Sequence, residues 1–465
     1  YPGKMDTHQI GAGFGNHFYF THTRNPVEGT PDRQRMFITG KWTLNQSAIG
    51  WARVFVHMPD HGAHTRQAAY VVGGSNSTSN TRVVPQRTRE NRWVSLGAFN
   101  FTGTPTVSLS NFTADGTGSE DIAWDAVAFQ KLPGKPRHQI VSMGDSFSSG
   151  EGASNGNADY FPETNYRNST DSSTRNACHR SYKAWSRQAT APGFTSSIGE
   201  MEDLYNPNMD HHLIACSGAR THNVLNTPQD NSGELPQIQQ GYLDQHTTLV
   251  TMSIGGNDSL FGAVIQECLI GLSNGNCKNS TLSDSHVKGE PAGKYAAYVG
   301  QSFETAVPGL MENVVRPEIL KTMKAIHEKA PNAKIELMGY PRLISGDGGC
   351  LRTLGFGLSS DSTTWIASVA DFLAMQMRNA VVDAQNAGID ARFTDPRDHF
   401  LNKGVCGDPE TIHGIVKTLT DSDNPAVDWP ILSSYGLSAQ SFHPKITGAR
   451  LYADALEGTL SGWGL

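Results

Sequence analysis

Two patterns of apolar and polar positions divide the chain. Up to about residue 133, short runs rich in β-branched and aromatic residues recur. They are "RMFITGKWTL", "WARVFVHMP", "QAAYVVGG", "TRVVPQ", "NRWVSLGAFNF", "TPTVSLSNF" and "DIAWDAVAFQKL". Turn clusters such as "DHGAHT" and "GGSNSTSN" separate them. Short strands at regular spacing, with no long helical pattern, predict an all-β, jelly-roll-like sandwich over residues 1–133. "LPGKPRH", from Leu132 to His138, reads as a linker, with residues 134–138 between the two parts.

From Gln139 to Leu465 the pattern becomes α/β. "QIVSM", "TTLVTMSI" and "AKIELMGY" read as short buried strands. Helical periodicity appears in "SYKAWSRQA", "DSLFGAVIQECLIGL", "VVRPEILKTMKAIHEKA", "WIASVADFLAMQMRNAVVDAQNAG" and "TGARLYADALEGTL". Strands alternating with helices predict a mostly parallel sheet covered on both faces. Ligands of such sheets bind at the carboxyl ends of the strands. Ser146 and Asn257 each follow a strand of this kind.

Length and composition agree with two domains. A chain of 465 residues exceeds one ordinary core. Only 17% of its residues are charged and the formal net charge is −7, with no Lys/Arg block, so nucleic-acid binding has no electrostatic support. No apolar run reaches membrane-span length. The opening "YPGKMDTHQIG" does not read as a signal peptide; in a secreted protein that segment is already removed. The loop-rich, weakly charged composition reads as extracellular.

Six cysteines stand at Cys178, Cys216, Cys268, Cys277, Cys350 and Cys406. There is no CxxC and no Cys/His cluster at zinc spacing, so no metal is expected. Six cysteines allow fifteen pairings. Their order suggests the sequential set Cys178–Cys216, Cys268–Cys277 and Cys350–Cys406. Six reduced, buried thiols are the alternative.

The candidate chemistry lies in separated blocks. Gly144-Asp145-Ser146 closes the first α/β strand. "IACSGAR" spans Ile214 to Arg220, "SIGGND" spans Ser253 to Asp258, and "SFHPKITGARLYADAL" places His443 before Pro444 and the last helix. Acyl transfer needs a nucleophile, a base within hydrogen-bond reach, and donors aimed at the developing oxyanion. Ser146 offers the hydroxyl and His443 the near-neutral base. The Asn257 amide and the N–H groups of Gly218 and Ser146 offer the donors. Singly, each block is more often a turn or loop; together they fill every role the reaction requires. Asp145 is expected to brace the nucleophile loop, Arg180 to anchor a loop, and the pair His211–His212 to be surface or structural. Trp185 and the apolar residues near 365–387 read as core.

These blocks, in this order, resemble the SGNH (GDSL-type) hydrolase superfamily of serine esterases and lipases. The resemblance covers about residues 138–465. It implies a flavodoxin-like three-layer α/β/α fold, with Ser146 as nucleophile, Gly218 and Asn257 in the oxyanion hole and His443 as general base, and no cofactor. "NACHRSYKAW", "CSGA" and "TTLVTMSIGGND" are most similar to secreted actinomycete members, which carry three sequential disulfides. One position departs from the family. An Asp usually stands three residues before the His, and here that position is Gln440, in "SAQSFHP". The expectation is therefore a Ser146–His443 dyad, oriented by the backbone carbonyl of Gln440 or its neighbour. Asp421, Asp423 or Asp428 is the alternative partner.

The N-terminal runs, with Trp93-Val94-Ser95-Leu96-Gly97 and Trp124-Asp125-Ala126-Val127, resemble the golvesin C-terminal-like domain. That implies an accessory sandwich with possible carbohydrate or surface contact. Trp93 and Trp124 alternate as core residues do. The expected activity is hydrolysis of an ester: a lipid acyl ester, an acylated glycan or a polyester. Acyl transfer to an alcohol is the enzymatic alternative, and a glycan- or wall-binding protein with a vestigial site is the non-enzymatic one. Loops tied by Cys350–Cys406 are expected to border the acyl pocket, with Gly355, Phe356, Gly357 and Leu358 as its apolar wall.

Overall fold

The computed structural model describes residues 4–9, 11–25, 36–88, 90–116, 118–167, 174–270, 276–353 and 358–465. Nine antiparallel strands come first: β1 (Asp6–His8), β2 (Phe18–His22), β3 (Thr39–Thr43), β4 (Gly50–Met58), β5 (Ala68–Ser75), β6 (Thr81–Val84), β7 (Arg92–Ser110), β8 (Asp121–Trp124) and β9 (Val127–Lys131). β1, β2 and β8 form a small sheet. The larger sheet runs β6-β5-β7-β4-β9, and β3 also pairs with β7. The runs "NRWVSLGAFNF" and "TPTVSLSNF" are one long strand, β7, whose register against β4 shifts between Val54 and Phe55. Conversely, "DIAWDAVAFQKL" divides between the two sheets. Asp125 breaks it: its carboxylate takes the ring Nδ1 of His57 at 2.6 Å and the N–H of Phe14.

Five parallel strands follow: β10 (His138–Gly144), β11 (Met209–Leu213), β12 (Leu249–Ser253), β13 (Lys334–Met338) and β14 (Ala391–Thr394). Their order is β11-β10-β12-β13-β14. This is the doubly wound order of flavodoxin-like folds, which opens a ligand crevice where the winding reverses, between β10 and β12. The five strongest helical patterns all contain helices. The first shrinks to one turn, Trp185–Gln188, and the longest runs Ser360–Asn386. The three disulfides are Cys178–Cys216, Cys268–Cys277 and Cys350–Cys406.

β11 and β14 are absent from the apolar pattern. β11 reads "MDHHL", too polar for a buried strand, because it is the sheet edge on which the sandwich docks. The Asp210 carboxylate accepts the Ala98 N–H at 2.8 Å. His211 is buried between Glu202 and the Ser142 hydroxyl, so that pair of histidines is structural. On β4, Ala52, Val54, Val56 and Met58 fill the sandwich core, while Arg53 on the opposite face donates to the carbonyls of Asn206 and Met209. Arg66, Gln67 and Ser77 bond Ser232, Gly233 and Asp244 across the same junction. Trp124 is core as expected, its indole N–H bonded to the Leu109 carbonyl. Trp93 is not: it is half-buried at a cavity of ≈ 280 Å3 between the sandwich and β11.

One core residue carries a pH signature. Glu336 on β13 is completely buried, and burial pushes its carboxyl from 4.5 up to about 8. Between about pH 4.5 and pH 8 the folded protein holds a proton that the unfolded chain has released, so stability falls as pH rises through that window. The cost reaches on the order of 5 kcal/mol as an upper bound. Glu336→Gln is expected to match the wild type near pH 4.5 and to melt several degrees higher at pH 8.5. Parallel melting curves at both values would contradict this.

Candidate active site

β10 ends at Gly144 with φ +111°, a conformation that favours glycine. A Cβ there would lie 2.1 Å from the Ser253 carbonyl oxygen. That close approach lets the chain turn at once into the short helix Ser146–Ser149. Asp145 caps it, accepting from the Phe147 N–H at 3.1 Å. Its carboxylate also accepts from the Ser253 hydroxyl at 2.7 Å and from the Tyr340 hydroxyl. Burial lifts this carboxyl to about 6. Asp145 thus braces the nucleophile loop, as its place in the sequence suggests, by tying the ends of β10, β12 and β13 together.

Ser146 Oγ lies 2.8 Å from Nε2 of His443, 297 positions away in the chain. The histidine segment is pinned on both sides. Ile412 and Pro444 form an antiparallel bridge, and the His413 N–H donates to the His443 carbonyl at 2.9 Å. Phe442, just before the histidine, has φ +64°, a conformation that persists only where its surroundings enforce it. Burial holds the imidazole below its usual range, with Glu151 acting in the opposite direction. The neutral ring that results at neutral pH is the form able to accept a proton.

The carbonyls at the imidazole belong to neighbours of Gln440, the second of the two places expected. The Gln440 carbonyl accepts from the backbone N–H of His443 at 3.1 Å, closing the turn. The ring Nδ1 faces the Ser441 carbonyl instead, at 3.2 Å. The Ala439 carbonyl also bonds the ring. The three alternative acids are used elsewhere. Asp421 accepts from Asn157, Asp423 from the N–H groups of Thr420 and Ala439, and Asp428 from Arg175.

Asn257 follows β12 across the crevice. Its Nδ2 donates to the Ala219 carbonyl at 2.9 Å, leaving a second amide hydrogen for the site. Gly218, next to that carbonyl, has φ +81°. Its loop is tied to the strand end by the Cys216 N–H on the Gly144 carbonyl, 3.0 Å, and by the Cys178–Cys216 disulfide. Arg180 anchors the same loop through Ala215 and Glu234.

Ser146, Asn257 and His443 line one cavity of ≈ 100 Å3. Its apolar wall is formed by Phe147, Phe261, Ile265, Leu343, Leu373 and Trp429. None of the described residues in the loops tied by Cys350–Cys406 lines it. Gly355, Phe356 and Gly357 lie outside the described residues, and Leu358 is buried in the core. Phe261 and Ile265 come from helix Phe261–Ile270 and Leu373 from helix Ser360–Asn386, where the apolar residues near 365–387 read as ordinary core. Among the described residues, no group of three or more His, Cys, Asp or Glu could hold a metal, and no helix is long and apolar enough to cross a membrane. The sequence reading missed Tyr340, Glu151 and Tyr160. Tyr340 was detectable, since it stands two residues beyond β13 at the ligand-bearing edge.

Known proteins resemble both parts of the chain. Residues 28–131 match the golvesin C-terminal domain. Lipase 1 of Streptomyces coelicolor is 29% identical over 275 residues, covering 59% of this chain and 75% of its own length. A lipase of Streptomyces rimosus is 26% identical over 294 residues, covering 62% of this chain and 81% of its own. The chain is similar to these lipases over more than half of its length. It is a carboxylic-ester hydrolase joined to a golvesin-type sandwich. Among solved structures, phospholipase A1 of Streptomyces albidoflavus matches 69% of this chain and 98% of its own chain, at 22% identity and a TM-score of 0.45.

Proposed function

We propose that this chain is a secreted serine esterase or lipase that cleaves acyl esters through a Ser146–His443 dyad and an acyl-enzyme. The observation that carries the reading is the 2.8 Å pairing of Ser146 Oγ with His443 Nε2 at the mouth of an apolar cavity. Ser146 Oγ attacks the ester carbonyl carbon while its proton passes to His443 Nε2. The Asn257 amide and the N–H groups of Gly218 and Ser146 hold the oxyanion. As the tetrahedral adduct collapses, the C–O bond to the alcohol breaks and the alcohol leaves with the proton from His443. Water then attacks the acyl-enzyme carbonyl, giving its proton to His443; as this second adduct collapses, the bond to Ser146 Oγ breaks, His443 returns the proton to that oxygen, and the free acid leaves. The Ser441 carbonyl keeps the ring oriented, but a neutral carbonyl stabilises an imidazolium less than a carboxylate does.

The apolar wall favours acyl chains longer than acetyl. Each buried methylene contributes about 0.8 kcal/mol, or about fourfold in kcat/KM. A series of p-nitrophenyl esters is therefore expected to rise about fourfold per carbon over the first few carbons beyond acetate. Activity confined to acetate would instead favour an acetyl-glycan esterase. The three disulfides agree with an oxidising, extracellular setting. The sandwich supplies none of the described residues lining the cavity; its proposed role is accessory, as a separate unit over residues 1–133.

A further inference from the structure

Glu151, five residues beyond the nucleophile, is completely buried and is used by no step above. Its carboxylate meets three different loops. Oε2 lies 2.5 Å from His179 Nδ1. Oε1 accepts from the Tyr160 hydroxyl at 3.1 Å. The Ser217 hydroxyl, beside Gly218, also bonds it. The Tyr160 oxygen in turn accepts from the Gly152 N–H at 2.9 Å and from Gln440 Nε2 at 3.1 Å. Gln440 thus stands in the usual acid's place, and its side chain leads through one hydroxyl to a buried carboxylate. The backbone beside Glu151 also presses on the base: a Cβ on Gly152 would lie 3.0 Å from His443 Cβ.

We infer, on the dyad reading above, that Glu151 is a positioning residue that replaces the missing acid: it holds the His443 loop through Tyr160 and Gln440 and stabilises protonated His443 by its charge, without touching the ring. The charge is present at working pH, because the His179 partner above all holds the carboxyl down at about 2 despite its burial. His179 is raised by Glu151, with Asp423 and Asp428 behind it and Arg175 on Asp428. His413, with Lys445 and Glu410 near it, faces His443 and lowers it.

The test is the pH profile of kcat/KM for a soluble p-nitrophenyl ester with Glu151→Gln. Without the anion, His443 loses its proton more readily, so the acid limb is expected to move to lower pH. His179 loses its charge together with its partner, which limits the shift to about half a pH unit. Turnover is expected to fall about tenfold or more with KM within threefold, since only the transition state carries the imidazolium. Tyr160→Phe keeps the charge but cuts the link to Gln440. It is expected to lower kcat severalfold with the acid limb unmoved. A folded Glu151→Gln enzyme with wild-type kcat and an unmoved acid limb would overturn the inference. Should that variant not fold, Tyr160→Phe carries the test, and wild-type turnover would overturn it. Fluorophosphonate labelling of wild-type Ser146 separates the two failures: without it the dyad reading itself falls, and with it only the role of Glu151 does.

Discussion

Ser146→Ala is expected to lower ester turnover by roughly 10⁴–10⁶-fold while leaving the fold intact. The side-chain oxygen touches His443 Nε2, whereas the hydrogen bonds that hold its loop come from the Ser146 carbonyl, Asp145 and Gly144. Thermal unfolding should therefore be unchanged within a few degrees. His443→Ala is expected to cost about as much, and the double variant little more than either alone, because nucleophile and base act as one unit. Additive losses in the double variant would mean that the two residues serve separate steps. Rates with a p-nitrophenyl ester, read beside melting curves, decide the matter.

Asn257→Ala is the second large effect. Removing one oxyanion donor typically costs about 10²–10³ in kcat with little change in KM. The same amide holds the Ala219 carbonyl, 2.9 Å away, next to Gly218. The substitution thus removes one donor directly and loosens the loop that presents another, which places the expected loss toward the upper end. A loss within threefold would show that the amide does not face the developing charge. A loss carried entirely by KM would assign it to substrate binding instead.

How much of this was legible beforehand follows from what each residue packs against. β10, β12 and β13 are surrounded by apolar neighbours and read as apolar runs. β11 lies against a second sheet through Asp210, Arg53 and His212, so its polarity hid it. Within the site, Ser146, Asn257 and His443 sit at strand ends or beside a proline, where short-range signals are strong. Which carbonyl near Gln440 meets the ring stayed open in the sequence, because the left-handed turn at Phe442 depends on tertiary contacts with His413 and Gly414. Glu151 was invisible for a related reason. Its partners Tyr160, His179 and Ser217 lie 9 to 66 positions away, and only the folded chain brings them to one carboxylate. The apolar lining that the described residues form was not foreseen, because residues such as Ile265 and Leu373 obey the helical period of core positions, and a pocket lining has the same period as a core.

The central claim is that Ser146 is the nucleophile activated by His443. Reaction with a fluorophosphonate, followed by intact-mass measurement and peptide mapping, tests it most directly. The account predicts one adduct per chain, located on Ser146, forming more slowly as pH falls below the His443 titration and at least a thousandfold more slowly in His443→Ala. An active protein that stays unlabelled, or that carries its adduct on another residue, would contradict it.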